Sequence, residues 1–94
     1  MWLIYEHRHL DRQLARAPLE VRNRYEKWKD IAEISGPEGL ALIRGFRDEA
    51  LSGKWRGYRS SRLNKQYRVI YRASGTELTV YVVEVTPHDY RRKA

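Results

Sequence analysis

The sequence predicts a small α+β domain, and three observations predict it. An apolar stripe at helical spacing runs through Val21, Tyr25, Trp28 and Ala32. After Trp55 the hydrophobic period changes from about 3.6 to about 2. Turn-forming residues, Asn64-Lys65-Gln66 and Ser74-Gly75, then separate three strand-like segments. The order is β-α-α-β-β-β, a helical hairpin packed on one face of a small, mostly antiparallel, four-stranded sheet. A chain of 94 residues makes one domain, residues 1–94, with a real but small core.

Each element has a local cause. Trp2-Leu3-Ile4-Tyr5 is a short apolar, partly β-branched run and reads as a first strand. From His7 to Ala17 the pattern is helical, with Leu10 and Leu14 four apart on one face. Pro18 suits the first turn of a second helix, whose apolar stripe leaves Arg22, Glu26, Lys29, Asp30 and Glu33 outside. Ser35-Gly36 ends that helix, and Pro37 opens another short turn or helix through Ile43. Gly45 to Gly53 reads as an irregular connection. Strands are expected at about 56–63, 67–73 and 77–85, and the chain leaves the sheet at Pro87.

Composition narrows the function. The chain has no cysteine, so neither a disulfide frame nor a thiolate metal site is available. Three scattered histidines lack metal-ligand spacing, and Ser52-Gly53-Lys54 lacks the rest of a phosphate-binding loop. The expectation is therefore no metal and no cofactor. The N-terminus is charged too early for a signal peptide, and no apolar run reaches the roughly 18 residues of a membrane span. A cytoplasmic protein with no membrane partner is expected. Residues 1–50 hold nine Lys/Arg and nine Asp/Glu, whereas residues 51–94 hold ten Lys/Arg and three acids, so the second half carries the whole net charge of +7. Between Leu51 and Arg72 there are seven bases and no acid. Such asymmetry fits a polyanion partner, or a basic face kept for solubility.

Strand parity sorts these bases. With Asn64-Lys65-Gln66 as a three-residue loop, Leu63 pairs with Tyr67 and Arg62 lies opposite Arg68. A two-residue loop would put Arg62 opposite Tyr67. The first register is preferred because it gathers Leu63, Tyr67, Val69 and Tyr71 on one face, the core face. With Ser74-Gly75 as a two-residue turn, Val69 meets Val80, Tyr71 meets Leu78, and Arg68 lies opposite Tyr81 on the open face. Two opposed cations repel each other, which makes sense where an anion lies between them. Lys54, Arg56, Arg59 and Lys65 suit phosphate contacts, Tyr90 suits base stacking, and Trp55 and Tyr58 read as packing residues. His88, at the end of the last strand, is a candidate proton donor or acceptor, and Glu49 a carboxylate just before the basic run.

Leu51-Ser52-Gly53, Gly57-Tyr58, Ser61-Arg62-Leu63 and above all Tyr67-Arg68-Val69-Ile70-Tyr71 resemble the RelE/ParE superfamily of bacterial toxins, and more closely its RelE, YoeB and HigB branch. The resemblance implies a metal-independent endoribonuclease that cuts messenger RNA, generally on the ribosome, by 2′-OH attack. It also implies a cognate antitoxin protein, with DNA met only through the antitoxin complex. By the same resemblance Arg68 is the strand arginine and Arg62 the one six residues earlier. Glu49, eight residues before Gly57, falls on the base of YoeB-like members, and His88 on the near-terminal histidine. The aromatic after that histidine is Tyr90 where the family has it one residue sooner, and the tail runs longer. Two other functions fit the same charge: a ParE-like inhibitor of DNA gyrase without nuclease chemistry, and a non-catalytic nucleic-acid-binding module.

Overall fold

The computed structural model describes residues 1–89, and Tyr90 lies outside them. In chain order the elements are β1 (Leu3–Glu6), α1 (Leu10–Arg16), α2 (Leu19–Leu42), β2 (Glu49–Ala50), β3 (Arg59–Arg62), β4 (Arg68–Ser74) and β5 (Thr79–Thr86). Single 3₁₀ turns at Arg44–Phe46 and Gly53–Trp55 flank β2. The fold is α+β, as the periodicity predicts. The sheet has five strands where four are expected, in the order β1-β5-β4-β3-β2. β1 runs parallel to β5 and every other pairing is antiparallel.

The helices cover one face of this sheet. Val21, Tyr25, Trp28 and Ala32 are all fully buried, so the apolar stripe is the core face of α2. From the sheet, Val69, Tyr71, Val80, Val82 and Val85 meet it, with Leu10 of α1 closing one side and Phe46 also in the cluster. Trp28 is the centre of the packing. Its ring lies 5.8 Å from Tyr25 and packs edge-on at 5.2 Å against Tyr71.

The helix break falls where expected. Gly36 adopts φ 63° and ψ −161°, a conformation open in practice only to glycine. Pro37 follows it in the first turn of the next helical segment, where its missing N–H removes no hydrogen bond. The glycine has a second reason. A Cβ at Gly36 would lie 2.4 Å from the Trp2 ring, and the Trp2 backbone N–H donates to the Glu33 carbonyl at 2.8 Å. The break thus gives β1 a seat against α2. The first helix starts at Leu10 rather than His7, after a turn in which the Leu10 N–H donates to the His7 carbonyl.

The β4–β5 register differs from the expected one. Ser74 pairs with Thr79 across a four-residue connection, so Val69 meets Val85, Tyr71 meets Val82, and Ala73 meets Val80. Two local features explain the shift. The Ser74 hydroxyl accepts a hydrogen bond from the Glu77 N–H at 3.2 Å, extending the turn. Leu78, which reads as a strand residue, takes φ 52° in that turn and is half exposed. A β-bulge opposite Ile70/Tyr71 then leaves Val83 as the extra residue of β5. The His9 ring nitrogen Nε2 donates to the carbonyl of Val83 at 2.6 Å, so the bulge has a partner from the turn before α1.

Gly36→Ala is expected to destabilise the fold by about 2–3 kcal/mol, combining the backbone strain with displacement of Trp2. Urea unfolding measures this, and the midpoint should fall while the slope stays unchanged.

Candidate functional site

The helix-free face of the sheet carries the basic row. Arg62 of β3 lies directly opposite Arg68 of β4, and Arg68 in turn faces Thr86 of β5. Thr86 takes the place expected for Tyr81, which instead faces Arg72, whose guanidinium lies 4.1 Å over its ring. The three-residue loop creates this pairing. The Asn64 side-chain oxygen accepts from the N–H groups of Gln66 and Tyr67, and the Leu63 N–H donates to the Tyr67 carbonyl at 2.8 Å. Leu63, Val69 and Tyr71 are therefore buried on the core face, with Tyr67 packed against them.

Arg62 and Arg68, with Lys65, Gln66, Tyr67, Pro87 and Asp89, line an open depression of about 660 Å³. Arg68 is only 5 % exposed, so its charge is held in place rather than trailing in water. An Arg68 Nη2 lies 3.6 Å from the Asp89 carboxylate. The chain reaches that position by a tight turn after β5, in which the His88 N–H donates to the Thr86 hydroxyl at 3.1 Å. His88 is exposed on this turn, two residues beyond the partner of Arg68.

Glu49 reaches the same face through β2, which the irregular reading of residues 45–53 missed. It pairs with Ser60, which pairs with Ile70, which pairs with Glu84. Directly opposed residues share a face, so these four make the row next to Arg62–Arg68–Thr86. Glu49 is one strand over and one row down from Arg62, about 5 Å across the sheet and about 7 Å along it. The structure thus brings Glu49, Arg62, Arg68 and Lys65 onto one face, with His88 at its end. Lys54 and Arg56 are exposed in and just after the turn that joins β2 to β3. Trp55 and Tyr58 pack edge-on at 5.1 Å in that same connection. Tyr90 lies outside the described residues.

Arg59 is placed differently. It faces Tyr71 on the core side of the sheet, and its Nε donates to Asp48 at 2.6 Å. Sequence reasoning passed over Asp48. Its side chain is fully buried and accepts three hydrogen bonds, from Arg59, from the Ser61 hydroxyl at 2.6 Å and from the Tyr71 hydroxyl at 2.5 Å. Burial works against the Arg59 charge, but the Asp48 hydrogen bond and charge outweigh it and hold the guanidinium above its ordinary value. Burial, then the Asp48 charge and hydrogen bond, push the Tyr71 hydroxyl above the phenol range. One signal for Asp48 was available: the alternation that puts Ser61 and Tyr71 on the core face leaves two hydroxyls there in need of an acceptor.

Among the described residues no cluster of three histidine, aspartate or glutamate side chains is arranged to hold a metal ion. No helix among them is long and apolar enough to cross a membrane.

The fold is the one seen in solved RelE and YoeB toxin structures. Among solved structures, the chain is similar to the archaeal RelE–RelB complex from Pyrococcus horikoshii OT3, with TM-score 0.73 and 22% identity over 99% of this chain and 98% of that one. It is similar also to the YoeB/ParE toxin from Agrobacterium tumefaciens, with TM-score 0.73 and 18% identity over 93% and 99%. The toxin–antitoxin complex YoeB–YefM from Staphylococcus aureus follows, with TM-score 0.70 and 15% identity over 95% and 99%. No family model and no curated protein matches the sequence.

The two buried phenols, Tyr25 and Tyr71, give the fold a pH signature. Burial first, then the hydrogen bond to Glu6 for Tyr25 and the charge and hydrogen bond of Asp48 for Tyr71, raise both phenols far above the ordinary value of 10.0. Above that value the folded protein binds more protons than the unfolded chain. Stability is therefore complete below it and falls as pH rises past it, by about 1.4 kcal/mol per pH unit for each phenol. Urea unfolding at about pH 9 and about pH 11 should show this loss, and equal midpoints would contradict it.

Proposed function

We propose that the protein is the toxin of a type II toxin–antitoxin system and cleaves messenger RNA on the ribosome, as a metal-independent endoribonuclease. The observation that carries this reading is the Arg62–Arg68 pair, two guanidinium groups opposed across neighbouring strands on the helix-free face. Repulsion between opposed cations costs stability, and a bound phosphate removes that cost. Glu49 on the same face and His88 at its end supply the two proton-handling groups that metal-free RNA cleavage requires.

In this mechanism Glu49 takes the proton of a ribose 2′-OH, and the oxygen attacks the adjacent phosphorus. Arg62 and Arg68 stabilise the charge that builds on the phosphorane. The bond to the 5′-oxygen breaks, and His88 gives that oxygen a proton. The products are a 2′,3′-cyclic phosphate and a 5′-hydroxyl end. Lys54, Arg56 and Lys65 bind flanking phosphates, which positions the strand without reading its sequence. Arg59 supports the site from behind, through Asp48. A net charge of +7 suits RNA and equally an acidic antitoxin segment that neutralises the same face in the cytoplasm.

Expression of the wild type should arrest growth and produce new message ends by primer extension. Arg68→Ala should reduce cleavage about a hundredfold or more, with an unchanged circular dichroism spectrum. Equal cutting by Arg68→Ala would sink the mechanism. Arrest with intact message and blocked DNA supercoiling would identify a gyrase inhibitor in its place.

A further inference from the structure

The depression that holds Arg62, Lys65 and Arg68 already contains an anion from the chain itself. Asp89 lines it, and its carboxylate lies 3.6 Å from Arg68. The turn that carries it is built locally, with Pro87 redirecting the chain after β5 and the His88 N–H held by the Thr86 hydroxyl. Thr86 is itself buried opposite Arg68, so the turn starts from a fixed point. We infer that Asp89 is an internal competitor for the phosphate site, which an incoming phosphate group must displace from Arg68.

The geometry explains why displacement is feasible. At 3.6 Å the ion pair is longer than a close, charge-assisted hydrogen bond. Asp89 is 26% exposed at its side chain, so its carboxylate regains water when it leaves, while Arg68, 7% exposed, stays in place. A nucleic-acid phosphate can engage Arg62, Lys65 and Arg68 together, and so outcompetes one carboxylate.

This inference rests on the reading of the face as a phosphate site, and the test separates the two. Binding of inorganic phosphate and of a fluorescent single-stranded RNA is measured at fixed salt for wild type, Asp89→Asn, Asp89→Glu and Arg68→Ala. Asp89→Asn should bind both ligands roughly two- to fivefold more tightly, the scale of a partly exposed ion pair. Asp89→Glu, which keeps the carboxylate, should stay near wild type. Binding by Asp89→Asn that is unchanged or weaker overturns the inference. If Arg68→Ala binds both ligands as well as wild type does, the phosphate site itself fails, and Asp89 fails with it. A gain in affinity by Asp89→Asn, alongside intact message in cells expressing the wild type, would uphold Asp89's role while rejecting the nuclease.

Discussion

The arrangement depends on one buried carboxylate. Asp48 gathers a guanidinium and two hydroxyls from β3 and β4, at the end of the sheet where the strands are shortest. β2 has only two residues in its ladder and contributes little pairing of its own. Three hydrogen bonds to the residue just before Glu49 make up for that. They fix β2 against β3, and so fix which way the next side chain points. A buried charge without such partners would be costly, and with them it becomes a register pin.

From that pin the two faces of the sheet take different work. On the core side Tyr71 hands the network on to Trp28, and the packing of α2 follows. On the open side the same strands hold Arg62 and Arg68 in opposition. Moving either strand by one residue would exchange the faces, placing arginines in the core and valines in water. The hydrophobic pattern that folds the sheet is therefore also what aims the cations. Arg68 shows the consequence most clearly, since it is both on the open face and nearly inaccessible.

Much of this was legible in the sequence because the signals were periodic. The α2 stripe, the break at Gly36 and the β3–β4 hairpin all repeat or punctuate a pattern. The Arg62–Arg68 pairing followed from the loop length that gathers Leu63, Tyr67, Val69 and Tyr71 on one face. What escaped had no period to read. β2 is too short to alternate, and Asp48 is identified only by partners distant in the chain. The β4–β5 register failed on two individual residues. Leu78 looks like strand and turns in a left-handed conformation, while the bulge at Val83 leaves the order of apolar residues intact and shifts their partners. Arg59 was counted with the phosphate contacts on charge, although the alternation that buries Ser61 and Leu63 places it on the core face with them.

The parallel pairing of β1 with β5 also bears on the order of folding. The first strand of the chain finds its sheet partner in the last, with Leu3 beside Thr79 and Glu6 beside Val82. Both helices and the hairpin must be made before that contact is available. Contacts so distant in sequence form late and slow the search for the native state. On a ribosome, the sheet would close only once β5 had emerged, and the turn carrying His88 comes after it. The basic face is thus completed only after β5 and the turn beyond it are made, so a nascent chain has its charge well before it has its site.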